Sequence, residues 1–132
     1  MKRRTFIKLT AATTAAFYFP NLSCSSKEST FIKNLAQPDK LQHICDAQTI
    51  HEIGEAYQHQ VKQESNQTTL VQLLRDNGNK SLDESAENAA VVAFLDERVR
   101  QDFKTNNTIV VDGWVLSVTE ARQCALFSLT EK

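Results

Sequence analysis

Three side chains able to bind a metal ion recur at four-residue spacing in the middle of the chain. They are His51, Glu55 and His59, and residues four apart lie on the same face of an α-helix. Imidazole nitrogens and a carboxylate are ligands that zinc and related divalent ions accept. The spacing is compatible with a metal site, but also with a solvated polar helix face, which the neighbouring Gln58 and Gln60 favour.

The sequence contains no pattern typical of nucleophilic catalysis or of nucleotide binding. Its three glycines form neither a Gly-x-Ser-x-Gly turn nor a phosphate-binding loop. It also has no Cys-x-x-Cys pair of the kind that holds iron–sulfur clusters or serves thiol redox proteins. We therefore expect a protein that is not an enzyme on its own and that carries no cofactor of its own.

The only tryptophan stands beside a predicted β-turn. Asp112 and Gly113 join two β-branched runs, 108–111 and 114–117, and this arrangement predicts a β-hairpin. Trp114 could pack against the preceding long helix. Alternatively it could be exposed near Arg122 as an anchor for a partner protein, because Trp and Arg dominate protein interfaces. The sequence leaves both interpretations open.

Apolar residues at helical spacing predict the helices that must position these groups. Three capping-box patterns predict helix starts at Thr49, Ser81 and Ser117. Gly54, inside the first of these helices, predicts a close contact with another helix. The fold class predicted is mainly α, a small domain of about four to five helices with one short β-hairpin near the C-terminus.

The first eight residues resemble the bacterial twin-arginine (Tat) export signal, with Arg3, Arg4, Phe6 and Lys8 in the motif positions. The short apolar run that follows, 9–19, is of about the length found in signal peptides and is too short to span a bilayer. We predict that residues 1–23 are a Tat-type signal peptide. Such a signal implies recognition by the Tat translocase and a location in the periplasm or on the periplasmic side of the inner membrane.

The end of the signal has two interpretations. The residues before Cys24 resemble a degraded lipobox, in which that cysteine would receive a lipid anchor to the membrane. Small residues around Cys24 are also compatible with ordinary signal peptidase cleavage. In either case we predict a tether or linker over residues 24–37 and a single small helical domain over residues 38–132.

The predicted mature chain is mildly acidic. Loss of residues 1–23 removes four of the 15 basic side chains and none of the 16 acidic ones, which leaves a formal charge of −5. This balance argues against nucleic acid as a partner. Two cysteines remain beside Cys24, and in an oxidising compartment Cys45 and Cys124 would either form a disulfide or lie buried as thiols.

The segment that runs from Asp102 through Trp114 to Leu126 resembles the C-terminal part of short, functionally unassigned Tat-signal proteins. More loosely, the whole layout resembles the small subunits of periplasmic flavin sugar dehydrogenases, of the gluconate 2-dehydrogenase subunit 3 and gamma-subunit type. Those subunits accompany a large catalytic subunit that carries FAD. The resemblance implies FAD in a partner subunit and a place for this chain as a small subunit of an oxidoreductase complex.

These observations together predict a non-catalytic accessory subunit that binds and escorts a periplasmic, cofactor-containing oxidoreductase. Trp114 and Arg122 are the residues predicted to contact the large oxidoreductase subunit. The alternative is a free-standing periplasmic lipoprotein that binds a metal or a small ligand through His51, Glu55 and His59.

Overall fold

The computed structural model describes residues 29–131 and shows five α-helices and one β-hairpin over that range. The helices are α1 (residues 29–35), α2 (Ala47–Gln60), α3 (Gln67–Arg75), α4 (Asn88–Lys104) and α5 (Val118–Thr130). The strands are β1 (Thr108–Val111) and β2 (Trp114–Ser117), and 3₁₀ turns lie at Leu41–His43 and Lys62–Glu64. The predicted fold class is therefore confirmed. Over the described range, no helix has the length and hydropathy needed to cross a bilayer.

The predicted signal peptide and lipidation site lie outside the described residues. These include Arg3, Arg4, Phe6, Lys8 and Cys24. Their roles stay predictions.

Helix α1 corrects part of the predicted tether. Phe31, Leu35 and Ala36 are buried in the hydrophobic core, because apolar residues three and four apart form one stripe on a helix. The side chain of Gln123 in α5 donates hydrogen bonds to the carbonyl oxygens of Leu35 and Gln37, at 3.0 and 2.9 Å. Residues from Phe31 onward thus belong to the folded unit.

The C-terminal helix α5 is the central element of the fold. It packs against α2, α3, α4 and both strands, and its closest neighbour is α2. A Cβ atom built on Gly54 of α2 would lie 2.0 Å from the carbonyl oxygen of Cys124 in α5. The close helix contact predicted from Gly54 is confirmed.

The predicted capping box at the start of α5 is also confirmed. The Ser117 hydroxyl accepts a hydrogen bond from the Glu120 amide at 2.9 Å, and the Glu120 carboxylate accepts one from the Ser117 amide at 3.1 Å. The capping box predicted at Thr49 was wrong, because α2 begins one turn earlier in the chain. Asp46 caps α2 instead, accepting a hydrogen bond from the Thr49 amide at 2.9 Å, and aspartate is a preferred cap.

The long helix α4 begins six residues later than the capping box at Ser81 predicted, since its N-cap is Glu87. Ser81 forms an isolated β-bridge with Asp76. The carboxylate of Asp83 accepts a hydrogen bond from the Ser85 amide at 2.8 Å, which closes a local turn. Aspartate and serine favour such turns over helix interiors, so the chain enters α4 only at Asn88.

The hairpin forms at the predicted turn. Asp112 and Gly113 both have positive φ angles, 51° and 85°, which are the angles of a type I′ turn. Val111 pairs with Trp114 and Thr108 pairs with Ser117 across the two strands. The turn therefore fixes which side chains of the hairpin face the helices.

Candidate functional site

His51, Glu55 and His59 lie along α2 and line one shallow depression, together with Lys62 and Ser128. Nδ1 of His51 is 3.2 Å from Oε1 of Glu55, so these two side chains pair with each other. The depression is open to solvent, and most of the residues that line it are polar.

The three side chains do not converge on a common point. Over residues 29–131, no three His, Cys, Asp or Glu side chains lie close enough to hold a metal ion. Lys62 also brings a positive charge to the same depression, which disfavours a divalent cation. Among the described residues this helix face therefore resembles a solvated polar surface, and the metal site at His51, Glu55 and His59 stays a prediction.

Trp114, the first residue of β2, is half-buried and packs against the core. Its position is intermediate between the two interpretations that the sequence left open. The neighbouring surface of the hairpin is apolar, since Val110 and Val115 are 57% and 63% exposed and pair with each other across the strands. Valine is among the residues that are most often fully buried in folded proteins. This hairpin surface is the main exposed apolar feature near a predicted site residue.

Arg122 is engaged inside the protein rather than free for a partner. Its guanidinium donates two hydrogen bonds to the carboxylate of Glu64, at 2.7 and 3.1 Å, and both side chains are only 18% exposed. The hydroxyl of Tyr57 donates a third hydrogen bond to Glu64 at 2.8 Å. This cluster ties α5 to α2 and to the 3₁₀ turn after it, and the role of Arg122 as a contact residue stays a prediction.

Electrostatics reinforce the Glu64 cluster. Hydrogen bonding from Arg122 lowers the pKa of Glu64, and the hydrogen bond to Glu64 raises the pKa of Arg122 in spite of its burial. Burial, together with the hydrogen bond to Glu64, raises the pKa of Tyr57. At neutral pH the cluster therefore holds an ion pair and a neutral phenol donor. The sequence contained no signal for it, since Glu64 and Arg122 are 58 positions apart.

Arg98 forms a second internal clamp that the sequence did not predict. Its guanidinium donates hydrogen bonds of 2.8 Å to the carbonyl oxygens of Leu73 and Leu74, in the last turn of α3. Those carbonyls have no partner within their own helix, and a cation there also complements the helix dipole. Arg98 thus fixes α3 against α4.

Cys45 and Cys124 are both free thiols in the structure. Cys124 is fully buried at the contact with α2, and Cys45 is half-buried at the edge of the same core. Burial raises the pKa of both thiols, so neither is a ready nucleophile at neutral pH. The disulfide between them stays a prediction.

Comparison with known proteins adds no relative. No protein-family model matches the chain, and no curated protein or solved structure matches it. Functional inference therefore depends on the residues and geometry described above.

Proposed function

We propose that this protein is a non-catalytic accessory subunit, exported by the Tat translocase, that binds and escorts a cofactor-containing oxidoreductase to the periplasm. The partner would be a large subunit that carries FAD. The accessory chain would remain in the periplasm or, through a lipid on Cys24, on the periplasmic side of the inner membrane.

The export signal supplies the first support. The Tat route carries folded proteins, often with a cofactor already bound. This small helical domain shows no sequence motif for a cofactor that would itself require export in the folded state. A partner that must acquire its cofactor in the cytoplasm would explain why the chain carries a Tat signal at Arg3 and Arg4. The accessory chain would then provide the signal for both.

The observation that carries the proposal is the apolar surface of the hairpin. Val110 and Val115 pair across the strands and expose more than half of their side chains on the solvent-facing side of the hairpin. The half-buried Trp114 precedes Val115 in β2 and turns to the opposite, core-facing side. An exposed apolar surface of this kind is a candidate contact site for a partner protein. Arg122 would act indirectly, by holding α5 in place behind the hairpin.

The test is a pull-down of the tagged native protein from the periplasmic and membrane fractions, followed by mass spectrometry and an absorption spectrum. We expect one stoichiometric large partner with a flavin spectrum. Changing both Arg3 and Arg4 to Lys should leave that partner in the cytoplasm. Recovery of the protein alone, with no stoichiometric partner, would overturn the proposal.

A matched pair of variants tests the surface. Val110→Asp puts a charge on the hairpin, and Ile44→Asp makes the same kind of change at another exposed apolar residue, 68% exposed after the first 3₁₀ turn. Both should melt close to the wild type, because exposed substitutions cost little. We expect Val110→Asp to lose the partner and Ile44→Asp to retain it. Equal retention would remove the hairpin from the interface.

The alternative is a free-standing periplasmic lipoprotein that binds a small ligand or a metal at the depression lined by His51, Glu55 and His59. Two histidines beside one depression favour keeping this second candidate. Metal analysis of the native protein tests it, with His59→Ala as the variant. A stoichiometric metal that is lost in the variant would support the alternative, and its absence would exclude the metal form of it.

A further inference from the structure

The outer edge of β2 is open at one residue. A two-residue turn between Val111 and Trp114 makes that pair a hydrogen-bonded one, and hydrogen-bonded and non-bonded pairs alternate along an antiparallel hairpin. The next pair, Val110 with Val115, is therefore non-bonded. Its amide and carbonyl groups point away from the hairpin, outward from β1 at Val110 and outward from β2 at Val115.

Two of the neighbouring outward groups, the carbonyl of Val110 and the amide of Ser117, have partners in the structure. The side chain of Gln60 in α2 donates a hydrogen bond of 3.1 Å to the carbonyl oxygen of Val110. The outward amide of Ser117 donates to the carboxylate of Glu120. For Val115, by contrast, the hydrogen bonds recorded over residues 29–131 include none to a side chain or to backbone outside the hairpin.

The composition of β2 leaves this edge unprotected. Exposed edge strands normally carry lysine, proline or a bulge that prevents pairing with another chain. Residues 114–117 contain no charge and no proline, and they pair with β1 without a bulge. The side chain of Val115 is 63% exposed, so another strand can approach it.

We propose that a second copy of this chain pairs with β2 in antiparallel fashion, about a two-fold axis at Val115. Each Val115 amide would donate a hydrogen bond to the Val115 carbonyl of the other copy. The two hairpins would then form one four-stranded sheet, as an isologous dimer interface.

The shortness of the open edge favours a second copy over a longer strand of another protein. On one side of Val115, the amide of Ser117 is already occupied by Glu120. On the other side, Gly113 belongs to the turn. A two-fold pair needs only the two free groups of Val115. Because β2 is uncharged, two copies do not repel each other there.

The dimer would also continue the apolar surface. The valine pair of each hairpin would align across the new sheet, with Val115 of both copies at its centre and Val110 at its margins. Cross-strand pairs of β-branched residues stabilise such sheets. This inference does not depend on the proposed escort function, since it concerns the edge of the hairpin alone.

Sedimentation velocity of the purified full chain over a range of concentrations tests the dimer, with two proline variants. Val115→Pro removes the outward amide on β2 and so deletes both intermolecular hydrogen bonds, while the inward bonds of the hairpin remain. Val110→Pro is the matched control, because it removes the equivalent outward amide on β1. Thermal melts verify that both variants fold.

We expect a wild type that doubles in mass with concentration. Val115→Pro should weaken the dimer roughly tenfold or more, and Val110→Pro should leave it unchanged. Equal weakening by both variants, or dimerisation that is insensitive to Val115→Pro, would overturn the proposal. A wild type that stays monomeric at all concentrations would also overturn the proposal. If Val115→Pro then lost a protein that co-purifies with the wild type, the edge would serve that protein instead.

Hydrogen exchange of the wild type supplies a readout that needs no variant. In the dimer, the Val115 amide should be protected more strongly at high than at low protein concentration. An amide that exchanges at the same fast rate at all concentrations would contradict pairing at this residue.

Discussion

Replacing Gly54 by alanine would add one methyl group where α2 and α5 meet. The new Cβ would lie 2.0 Å from the carbonyl oxygen of Cys124, 2.6 Å from its carbonyl carbon and 2.9 Å from Cβ of Ser128. Ordinary contacts between nonbonded carbon atoms are about 3.5–4.0 Å. Most of the obstacle is the main chain of α5, which cannot rotate out of the way as a side chain can. The two helices must therefore move apart.

The expected cost follows from two opposing effects. Overpacking of a core costs about 1–3 kcal/mol, and we take about 3 kcal/mol because the clash is with backbone. Alanine is a better helix former than glycine, which stabilises the variant by about 1 kcal/mol and offsets part of the overpacking cost. The net loss of about 2 kcal/mol corresponds to a melting temperature about 8–16 °C lower for a domain of this size.

Urea denaturation followed by circular dichroism measures this loss, with Gly78→Ala as the control. No heavy atom lies within 4 Å of a Cβ built on Gly78, but its φ of +91° is left-handed. Alanine there should cost about 1 kcal/mol from the backbone conformation alone. The loss at Gly54 should be clearly the larger. If the two variants are equally stable, or if Gly54→Ala is neutral, α2 and α5 are not in the close contact described.

Three further outcomes are expected. Glu64→Gln should be less stable than the wild type by about 2 kcal/mol at neutral pH, because its pKa is lowered by Arg122. That difference should disappear in urea titrations as the pH falls through the range in which Glu64 becomes protonated. Burial raises the pKa of Glu120, so its charge opposes folding as the pH rises. Glu120→Gln keeps a capping acceptor, so its free energy of unfolding should equal that of the wild type near about pH 4 and exceed it near about pH 7. A variant that is less stable than the wild type at neutral pH would refute this. With a thiol reagent, Cys45 should react faster than the buried Cys124 in the reduced native protein, and both should react alike after unfolding. Equal native rates would contradict the described burial.

Local signals in the sequence predicted the hairpin turn and the start of α5, whereas the capping boxes at Thr49 and Ser81 misplaced the starts of α2 and α4. Asp112 and Gly113 predicted the turn because few other residue pairs adopt two successive positive φ angles. Ser117 and Glu120 predicted the start of α5 because the reciprocal hydrogen bonds need only residues three apart. Each of these features depends on neighbours within a single turn of chain.

Specific pairings between distant residues could not be predicted, although Gly54 indicated that some other helix would lie close to α2. The partner of Arg122 is Glu64, and no periodicity connects positions 58 apart. Helix α1 was mistaken for a tether because it is short, and Gln123, 88 positions from Leu35, holds its end in place. Short helices are marginal until they are packed against another element. The sequence could therefore propose Arg122 as a contact residue but could not show that it pairs with Glu64 inside the protein.

The central place of α5 has a consequence for the timing of folding. The other helices over residues 31–131 all precede α5 in the chain and pack against it. Gln123 of α5 holds the end of α1, and Arg122 of α5 binds Glu64. During synthesis the earlier elements emerge first, but they lack the surface against which they pack. The domain should therefore close only after α5 has left the ribosome. If the hairpin binds a partner, as proposed, that partner can recognise the folded hairpin only after α5 has been synthesised.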